Sequence, residues 1–364
     1  MAVKENPVKA CFPLLALVAL AAGPALAQSS VSLSGIVDLG LRQVHNTDVG
    51  TLNSMVSGSN ATSRFILRGS EDLGGGLSAG FHLESGLNAD TGQSASSSTL
   101  FDRRATVGLV SKTLGEIRLG NDYVPSYLNW NRYDPFSVVG VARTSNLISA
   151  TPAGPIKSAF GANPNTTVRA SNSLQLLLPE LGGLEGGLMV AAGEGGTAAN
   201  GQHRVVGARL GWATKTFGGS VATTRTRNDQ TGDEDFRDTA VGGFYDAGVV
   251  RLSAGWRQFR HDQAKQTNLL VGASVPVGAA GSLKLSWNRA AFGGSAGGVA
   301  LDGQRARQLG IGYVHELSRR TALYGSFATL DNDGALKLSI PGGPSGLPAG
   351  GRSRGLEFGV RHHF

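Results

Sequence analysis

The residues with the clearest chemical potential in this chain are arginines that recur at alternate positions of short runs. Arg64 and Arg68 lie four positions apart in one run, and Arg104 and Arg118 have the same even parity in two later runs. Successive side chains of a β-strand point to opposite faces, so this spacing would gather guanidinium groups on one polar face. Such a face attracts anions and cannot be buried without water.

The same polar parity recurs along the whole chain. The arginines that share it are Arg42, Arg64, Arg68, Arg104, Arg118, Arg169, Arg209, Arg251, Arg257 and Arg361. The acidic residues that oppose them are Asp38, Glu84, Glu116, Glu185, Glu316 and Glu357. A charged face repeated around a closed sheet implies an interior filled with water.

Signatures of catalysis are weak. The segment GGSAG at 293–297 matches the G-x-S-x-G pattern of a serine nucleophile, but it lies in a glycine-rich loop without a strand-to-helix turn. His362 and His363 are adjacent strand residues that face opposite sides and cannot chelate one ion together. No phosphate-binding or dinucleotide fingerprint follows a strand and opens a helix. The sequence therefore predicts no enzyme, no metal site and no cofactor.

The first residues predict export. Lys4 and Lys9 precede an apolar run that is too short to span a bilayer, and Ala25 and Ala27 form a cleavage site before Gln28. Residues 1–27 therefore read as a signal peptide and residues 28–364 as one domain. The one cysteine of the chain, Cys11, lies within this signal, so the mature chain must be stable without disulfides.

Composition favours β structure. The chain has 54 glycines, 16% charged residues and a hydrophobic content of 40% with no long apolar run, which suits alternating strands and turns. The net charge of +7 is spread as single arginines without interleaved aromatics, so nucleic-acid binding is not expected.

About sixteen amphipathic runs of some ten residues are separated alternately by tight turns and longer polar segments. The runs begin near residues 30, 62, 77, 101, 115, 168, 184, 202, 218, 236, 249, 266, 281, 305, 320 and 353. The longer segments are 46–61, 88–99, 121–167, 194–201, 228–235, 261–265, 291–304 and 331–351. This pattern predicts an all-β fold, a transmembrane antiparallel β-barrel with short periplasmic turns and long external loops. A soluble β-sandwich is the alternative, but it would not need sixteen runs of spanning length.

The stretches SSVSLSGIVDLGL, SRFILRGSEDLGGGL, FDRRATVGLVSKTLGEIRLGND and the final FGVRHHF resemble the Gram-negative general porins, in particular the trimeric sixteen-stranded type of β-proteobacteria. The resemblance implies a third loop, about 121–167, that folds into the barrel and narrows the pore. It implies that Phe364 is part of the signal read by the barrel-assembly machinery.

Carried over by position, the resemblance also implies which residues face the pore. The expected basic wall residues are Arg42, Arg64, Arg68, Arg104, Arg118 and Arg169, and the expected acidic residues of the constriction loop are Asp122 and Asp134. Asn121 stands where family members often have arginine, and the loop is poor in acids. These departures predict a weak transverse field and a preference for anions.

The sequence thus predicts an outer-membrane channel for passive diffusion of small hydrophilic solutes, mildly anion-selective and assembled as a homotrimer in outer-membrane lipid. A substrate-specific channel for an anionic nutrient would share the fold and differ in loop chemistry. An outer-membrane hydrolase would need a serine with a histidine base, and a secreted adhesive β-protein would be water-soluble without detergent.

Overall fold

The computed structural model describes residues 29–161, 164–193, 203–227 and 234–364, so the predicted signal peptide lies outside the described residues. Its strands are β1 (Ser30–Asn46), β2 (Gly50–Ser57), β3 (Arg64–Gly74), β4 (Leu77–Asn88), β5 (Gln93–Ser94), β6 (Arg104–Ser111), β7 (Gly115–Tyr123), β8 (Arg169–Leu177), β9 (Leu184–Ala191), β10 (Arg204–Ala213), β11 (Phe217–Arg227), β12 (Phe236–Asp246), β13 (Arg251–His261), β14 (Ala264–Val277), β15 (Gly281–Gly293), β16 (Ser295–Ala296), β17 (Val299–Ala300), β18 (Arg305–Glu316), β19 (Thr321–Asp333) and β20 (Arg352–His363). Two short α-helices, α1 (Pro125–Asn131) and α2 (Gly154–Phe160), and two 3₁₀ turns, Thr144–Leu147 and Pro164–Thr167, lie between β7 and β8.

Sixteen antiparallel strands close into one barrel, which confirms the predicted fold class. Closure occurs where β1 pairs with β20 from Ile36↔His363 to Asn46↔Ser353. On its other edge β1 pairs with β3 along its first half and with β2 along its second half. Strand β2 therefore extends the second barrel strand past a six-residue interruption, and β5, β16 and β17 are loop elements. Every spanning strand then has two neighbours, as hydrocarbon requires.

Alternation along the strands decides which face meets lipid. On β18, Leu309 and Ile311 face outward and are 56% and 45% exposed. Gln308, which precedes Leu309, faces inward and is buried. On β20 the apolar residues Leu356, Phe358 and Val360 face outward in the same way. The exposed apolar surface is the surface that a bilayer would cover.

Turns at one end of the barrel are short and connections at the other end are mostly long, with two differences from the sequence prediction. Residues 261–265 were expected to form a longer segment, but β13 and β14 join through a tight turn in which Asp262 has a φ of 50°. The segment 46–61 contains β2, which the polar composition of the segment concealed.

Two of the long connections fold into the barrel. The constriction loop, which we define as residues 124–168, runs along the inner wall, and the connection 334–351 folds inward beside it. Leu338 and Ile340 of this second connection share an apolar cluster with Val141 and Leu147 of the constriction loop. The two loops thereby fill the same side of the lumen with a dry core. Among the described residues, no helix is long and apolar enough to cross a membrane.

Candidate functional site: an arginine wall in the lumen

Guanidinium groups concentrate on the luminal side of the strands from β3 to β8. We call this set the arginine wall: Arg64, Arg68, Arg103, Arg104, Arg118 and Arg169. Strand parity directs most of these side chains inward, because the alternate residues on the same strands, such as Val107 and Ile117, are exposed outward. A cavity of about 350 Å³ opens on the wall beside Arg68, Arg104 and Arg118.

The part of the wall near β3 and β4 is organised around Glu84 on β4. Its carboxylate accepts a hydrogen bond of 2.5 Å from Nε of Arg103, and Nε of Arg64 lies 3.3 Å away. Nε2 of His82 lies 3.2 Å from the second oxygen. One buried carboxylate thus holds two guanidinium groups and an imidazole.

Asp122 on β7 organises the centre of the wall. Arg104 donates from Nε to Oδ1 at 2.7 Å, Arg118 donates from Nη1 to Oδ2 at 2.8 Å, and Gln175 donates to Oδ2 at 3.0 Å. Asp122 was expected in the constriction loop, but it belongs to the barrel wall and is fully buried between its partners. Its carboxylate braces two wall arginines instead of facing them across the pore.

Two of the expected residues differ sharply in their pairing. Arg68 is exposed in the lumen, and no ion pair or hydrogen bond of its side chain occurs within the described part of the chain. Arg42 donates from both Nε and Nη2 to Glu357, at 2.9 and 2.7 Å, and its charge is therefore matched locally. Arg68 is the wall cation with the least compensation.

Tyr123, the last residue of β7, connects the wall to the constriction loop. Its hydroxyl accepts hydrogen bonds from Arg103 at 2.9 Å and Arg169 at 3.2 Å, and its ring stacks on Tyr127 with centroids 5.4 Å apart. The guanidinium of Arg169 lies 4.7 Å from the centre of the Tyr123 ring, within cation–π range. Arg169 also donates to the backbone oxygen of Arg103.

The constriction loop covers the opposite wall. Helix α1 packs on β9 to β12, α2 packs on β13 and β14, and the turn Thr144–Leu147 packs on β15 and β18. The backbone N–H of Val141 donates to Glu357 on β20 at 2.9 Å. The loop therefore spans half the circumference, and it touches the arginine wall at Arg169, whose Nη1 donates to the side chain of Asn165 at 3.3 Å.

Asp134 lies in this loop but does not face the arginine wall. Its two oxygens accept hydrogen bonds from the N–H of Phe136, Val138 and Thr144 and from the Thr144 hydroxyl. Burial raises the pKa of Asp134, and these hydrogen bonds act in the opposite direction. The Asp134 side chain stabilises the loop through these bonds. It is therefore not the acidic residue that was expected to face the arginines across the pore.

A basic residue of the loop adds to the charge of the lumen. Burial, followed by the neighbouring positive charge of Arg42, lowers the pKa of Arg143 to about 10, and the group still carries its charge at neutral pH. Arg132, also in the loop, shares Glu185 of β9 with Arg209. The loop side of the lumen is thus also basic.

A buried ion pair fixes both ends of the constriction loop to the wall. Arg257 donates to both oxygens of Asp238 at 2.9 and 2.7 Å, and each side chain is 2% exposed. Arg257 also donates to the backbone oxygen of Thr167, and Ser126 of α1 donates to Asp238 at 2.6 Å. The pair holds the beginning and the end of the loop at one place.

Sequence parity missed Arg103 and Tyr123. A strand beginning at 101 would place Arg103 with Ala105 on the apolar face, but β6 begins at Arg104 and Arg103 lies in an irregular segment that turns inward. The available signal was the pair of adjacent arginines. Adjacent strand residues face opposite sides and an arginine that faces lipid is costly, so one of the two had to lie outside the regular strand.

The last residue of the chain lies at the barrel seam. The N–H of Phe364 donates to the oxygen of Gly35, and the N–H of Gly35 donates to the oxygen of Phe364, both at 3.1 Å. A Cβ added to Gly35 would lie 2.3 Å from the Phe364 ring, so the ring needs a glycine at this position.

The other motifs do not assemble into a reactive site. Ser295 of the G-x-S-x-G segment lies in β16 and donates to the side chain of Gln263 at 3.0 Å. Within the described ranges, no group of three or more His, Cys, Asp or Glu side chains could hold a metal ion.

Comparison with known proteins places this geometry among channels. A family described as Gram-negative porin matches residues 14–335. An outer membrane porin, protein 32, of Delftia acidovorans is 36% identical over 96% of this chain and 99% of its own length. An outer membrane porin of Bordetella pertussis is 26% identical over 96% and 98%. The solved structure of an anion-selective porin from Comamonas acidovorans superposes with a TM-score of 0.78 at 32% identity, covering 93% of this chain and all of the other.

Proposed function

This chain belongs to the Gram-negative porin family, and from that premise we propose that its channel selects small anions through the arginine wall. The protein is an outer-membrane porin, a passive diffusion channel and not an enzyme. What we add is the preference for anions and the residues that produce it.

One observation carries the proposal: the charges of the wall do not cancel. Six guanidinium groups contact or adjoin three carboxylates, Glu84, Glu116 and Asp122, which leaves a formal charge of 6 − 3 = +3. Across the lumen, Arg132 and Arg209 share Glu185, which adds a further +1. No acidic side chain of the described constriction loop contacts the wall to balance this excess.

A positive excess in a narrow aqueous passage favours anions for two reasons. Low-dielectric walls focus the field, and a confined solution holds fewer screening ions than an open surface. Most wall arginines are already paired, so they attract an anion without binding it too tightly to leave. The free guanidinium of Arg68 provides the strongest single attraction.

The constriction loop and the inward connection 334–351 support a narrow passage. The constriction loop packs on the strands opposite the wall and the connection 334–351 packs beside β1, and both contribute buried apolar side chains, including Phe136, Leu338 and Ile340. A solute must then pass close to the guanidinium groups. Small hydrated anions suit such a path better than bulky neutral solutes.

A planar-bilayer measurement tests the proposal. A tenfold KCl gradient is set across a bilayer that holds the purified protein. The reversal potential should have the sign expected when chloride is more permeant than potassium, and its magnitude should decrease as total salt rises. A reversal potential of the potassium sign would refute anion selectivity. Conductance that saturates at low concentrations of one anion would instead indicate a substrate-specific channel.

Three further properties belong to the same proposal. Residues 1–27 act as a signal peptide, the mature chain assembles as a homotrimer, and Phe364 is part of the signal read by the barrel-assembly machinery. The reciprocal hydrogen bonds between Phe364 and Gly35 support the last point, because they place the terminal residue at the closing seam. Mass spectrometry of the protein purified from outer membranes would test the first two.

A further inference from the structure

Two stacked tyrosines lie where the constriction loop leaves the arginine wall. Tyr123 ends β7 and Tyr127 lies on α1, and their rings are nearly parallel, with an interplanar angle of 12° and centroids 5.4 Å apart. Both residues are half-buried. Tyr127 also packs against an apolar cluster that includes Met189 and Val205. The pair forms an aromatic surface beside the charged wall of the channel.

Cations surround the two rings. The guanidinium group of Arg169 lies 4.7 Å from the centre of the Tyr123 ring and that of Arg104 lies 5.7 Å from it, both within cation–π range. Arg103 donates to the Tyr123 hydroxyl at 2.9 Å. Planar guanidinium groups and tyrosine rings both stack on flat π-systems. This surface therefore suits an aromatic ring better than an aliphatic group of the same size.

Two groups beside the rings have unused hydrogen-bond donors. The Tyr123 hydroxyl accepts two hydrogen bonds, whereas the Tyr127 hydroxyl makes none within the described part of the chain. Arg143 donates from Nε to Asn146 at 3.0 Å, and its two Nη nitrogens bond to no other described residue. A phenol and a guanidinium fork are donors that suit a carboxylate.

The fold of the constriction loop brings Arg143 to the tyrosines. The indole N–H of Trp130 on α1 donates to the Thr144 hydroxyl at 3.0 Å, which holds the segment carrying Arg143 against the helix. Tyr127 and Trp130 are three residues apart and therefore adjacent on the helix surface. Arg143 lies close enough to Tyr127 for the two side chains to interact electrostatically. The unused donors and the stacked rings thus share one part of the constriction.

On the basis of the anion selectivity proposed above, we infer that this site recognises aromatic carboxylates of the benzoate class as they pass the constriction. The carboxylate accepts hydrogen bonds from the Nη nitrogens of Arg143 and from the Tyr127 hydroxyl, while the ring of the solute contacts the tyrosine rings. No ion pair of the wall has to break. An aliphatic carboxylate gains the hydrogen bonds but not the ring contact, which favours the aromatic solute roughly two- to tenfold.

Permeability ratios of two matched anions test the inference. Benzoate and cyclohexanecarboxylate carry the same charge at neutral pH and have the same carbon skeleton, but only benzoate has a flat aromatic ring. The potassium salts are placed at equal concentration on opposite sides of a planar bilayer that holds the protein, and the reversal potential gives the permeability ratio. For the wild type, benzoate should be more permeant by at least about twofold.

Three variants identify the groups responsible. Tyr127→Leu keeps an apolar side chain against the wall but removes the ring, so the ratio should fall to about one. Tyr127→Phe keeps the ring and should keep most of the ratio. Arg143→Gln should lower the permeability of both carboxylates and leave their ratio unchanged. The matched control Tyr245→Leu removes a tyrosine that is exposed on the outward face, and it should keep the wild-type ratio.

A wild-type ratio of one or below would overturn the inference, as would a Tyr127→Leu protein with the wild-type ratio. Equal losses in Tyr127→Leu and Tyr127→Phe would also overturn it, because the ring would then play no part in recognition. The reversal potential of the wild type in KCl tests the proposed anion selectivity, whereas the benzoate ratio tests the aromatic site. The two proposals can therefore fail separately.

Discussion

Replacement of Arg257 by methionine tests how the constriction loop is held against the barrel. The guanidinium joins Asp238 on the neighbouring strand to the backbone of Thr167, while Ser126 binds the same carboxylate from the other end of the loop. Methionine keeps much of the volume but removes the charge and three hydrogen bonds. Asp238 would then remain buried with no cation beside it.

The expected loss follows from burial. Both side chains are 2% exposed, and removal of one partner from such a pair leaves an uncompensated charge, which costs about 3–5 kcal/mol. Arg251→Met is the matched control on the same strand. Arg251 and Asp246 are 42% and 33% exposed and 3.7 Å apart, so this change should cost less than about 1 kcal/mol.

Two measurements check the prediction. The free energy of unfolding can be measured by urea titration in lipid vesicles, and open-channel current noise reports motion of the constriction loop. The double variant Arg257→Met with Asp238→Asn should recover at least half of the lost stability, because no buried charge is left. An Arg257→Met protein as stable and as quiet as the control would refute the anchoring argument.

Three more predictions concern the lipid face, the seam and pH. Leu109→Arg on the lipid-facing side of β6 should cost roughly 2–4 kcal/mol near the bilayer midplane, whereas Ser70→Arg in the lumen should cost under about 1 kcal/mol in the same urea titration. Deletion of Phe364 removes the reciprocal bonds to Gly35 and should abolish the heat-modifiable folded form in outer membranes; a normal folded band would contradict this. Burial lowers the pKa of His203, beside Phe160 of the loop, to about 4, so its contribution to stability is complete above pH 6.5 and is lost as pH falls towards 4. His203→Phe should flatten this acid dependence of the thermal midpoint, and an unchanged pH profile would exclude the role.

Alternation with a period of two predicted most of the barrel. Strands β1, β4, β7, β9, β12, β15 and β18 begin at the residues expected from the sequence, because lipid outside and water inside impose opposite polarity on neighbouring residues. Strand β2 escaped prediction because its sequence, GTLNSMVS, does not alternate between polar and apolar residues, although Met55 lies level with the lipid-facing Leu41 and Phe358. The inward connection 334–351 escaped for a related reason: its apolar residues pack on another loop, a contact with no local period.

The charge arrangement could be predicted only in part. Parity gave the side of the sheet for Arg64, Arg68 and Arg104, but it could not say which carboxylate each one meets. Asp122 was expected in the constriction loop, but it lies in β7 and pairs with Arg104 on the neighbouring strand β6 and with Arg118 on its own strand. The carboxylate of Asp134 accepts hydrogen bonds from the backbone of its own loop. The sequence shows only that an aspartate can bond in this way, and not which aspartate does so.

The most direct test of the account is the reversal potential of a variant with a neutral arginine wall. Arg64→Gln, Arg68→Gln and Arg104→Gln together take the formal wall charge from +3 to 0 and leave Arg103 and Arg118 to hold Glu84 and Asp122. Arg225→Gln, Arg227→Gln and Arg237→Gln remove the same charge from the outward face as a control. In a dilute KCl gradient, the wall variant should lose most of its anion preference and the control should keep it. A wall variant that folds normally and retains the wild-type reversal potential would contradict the account.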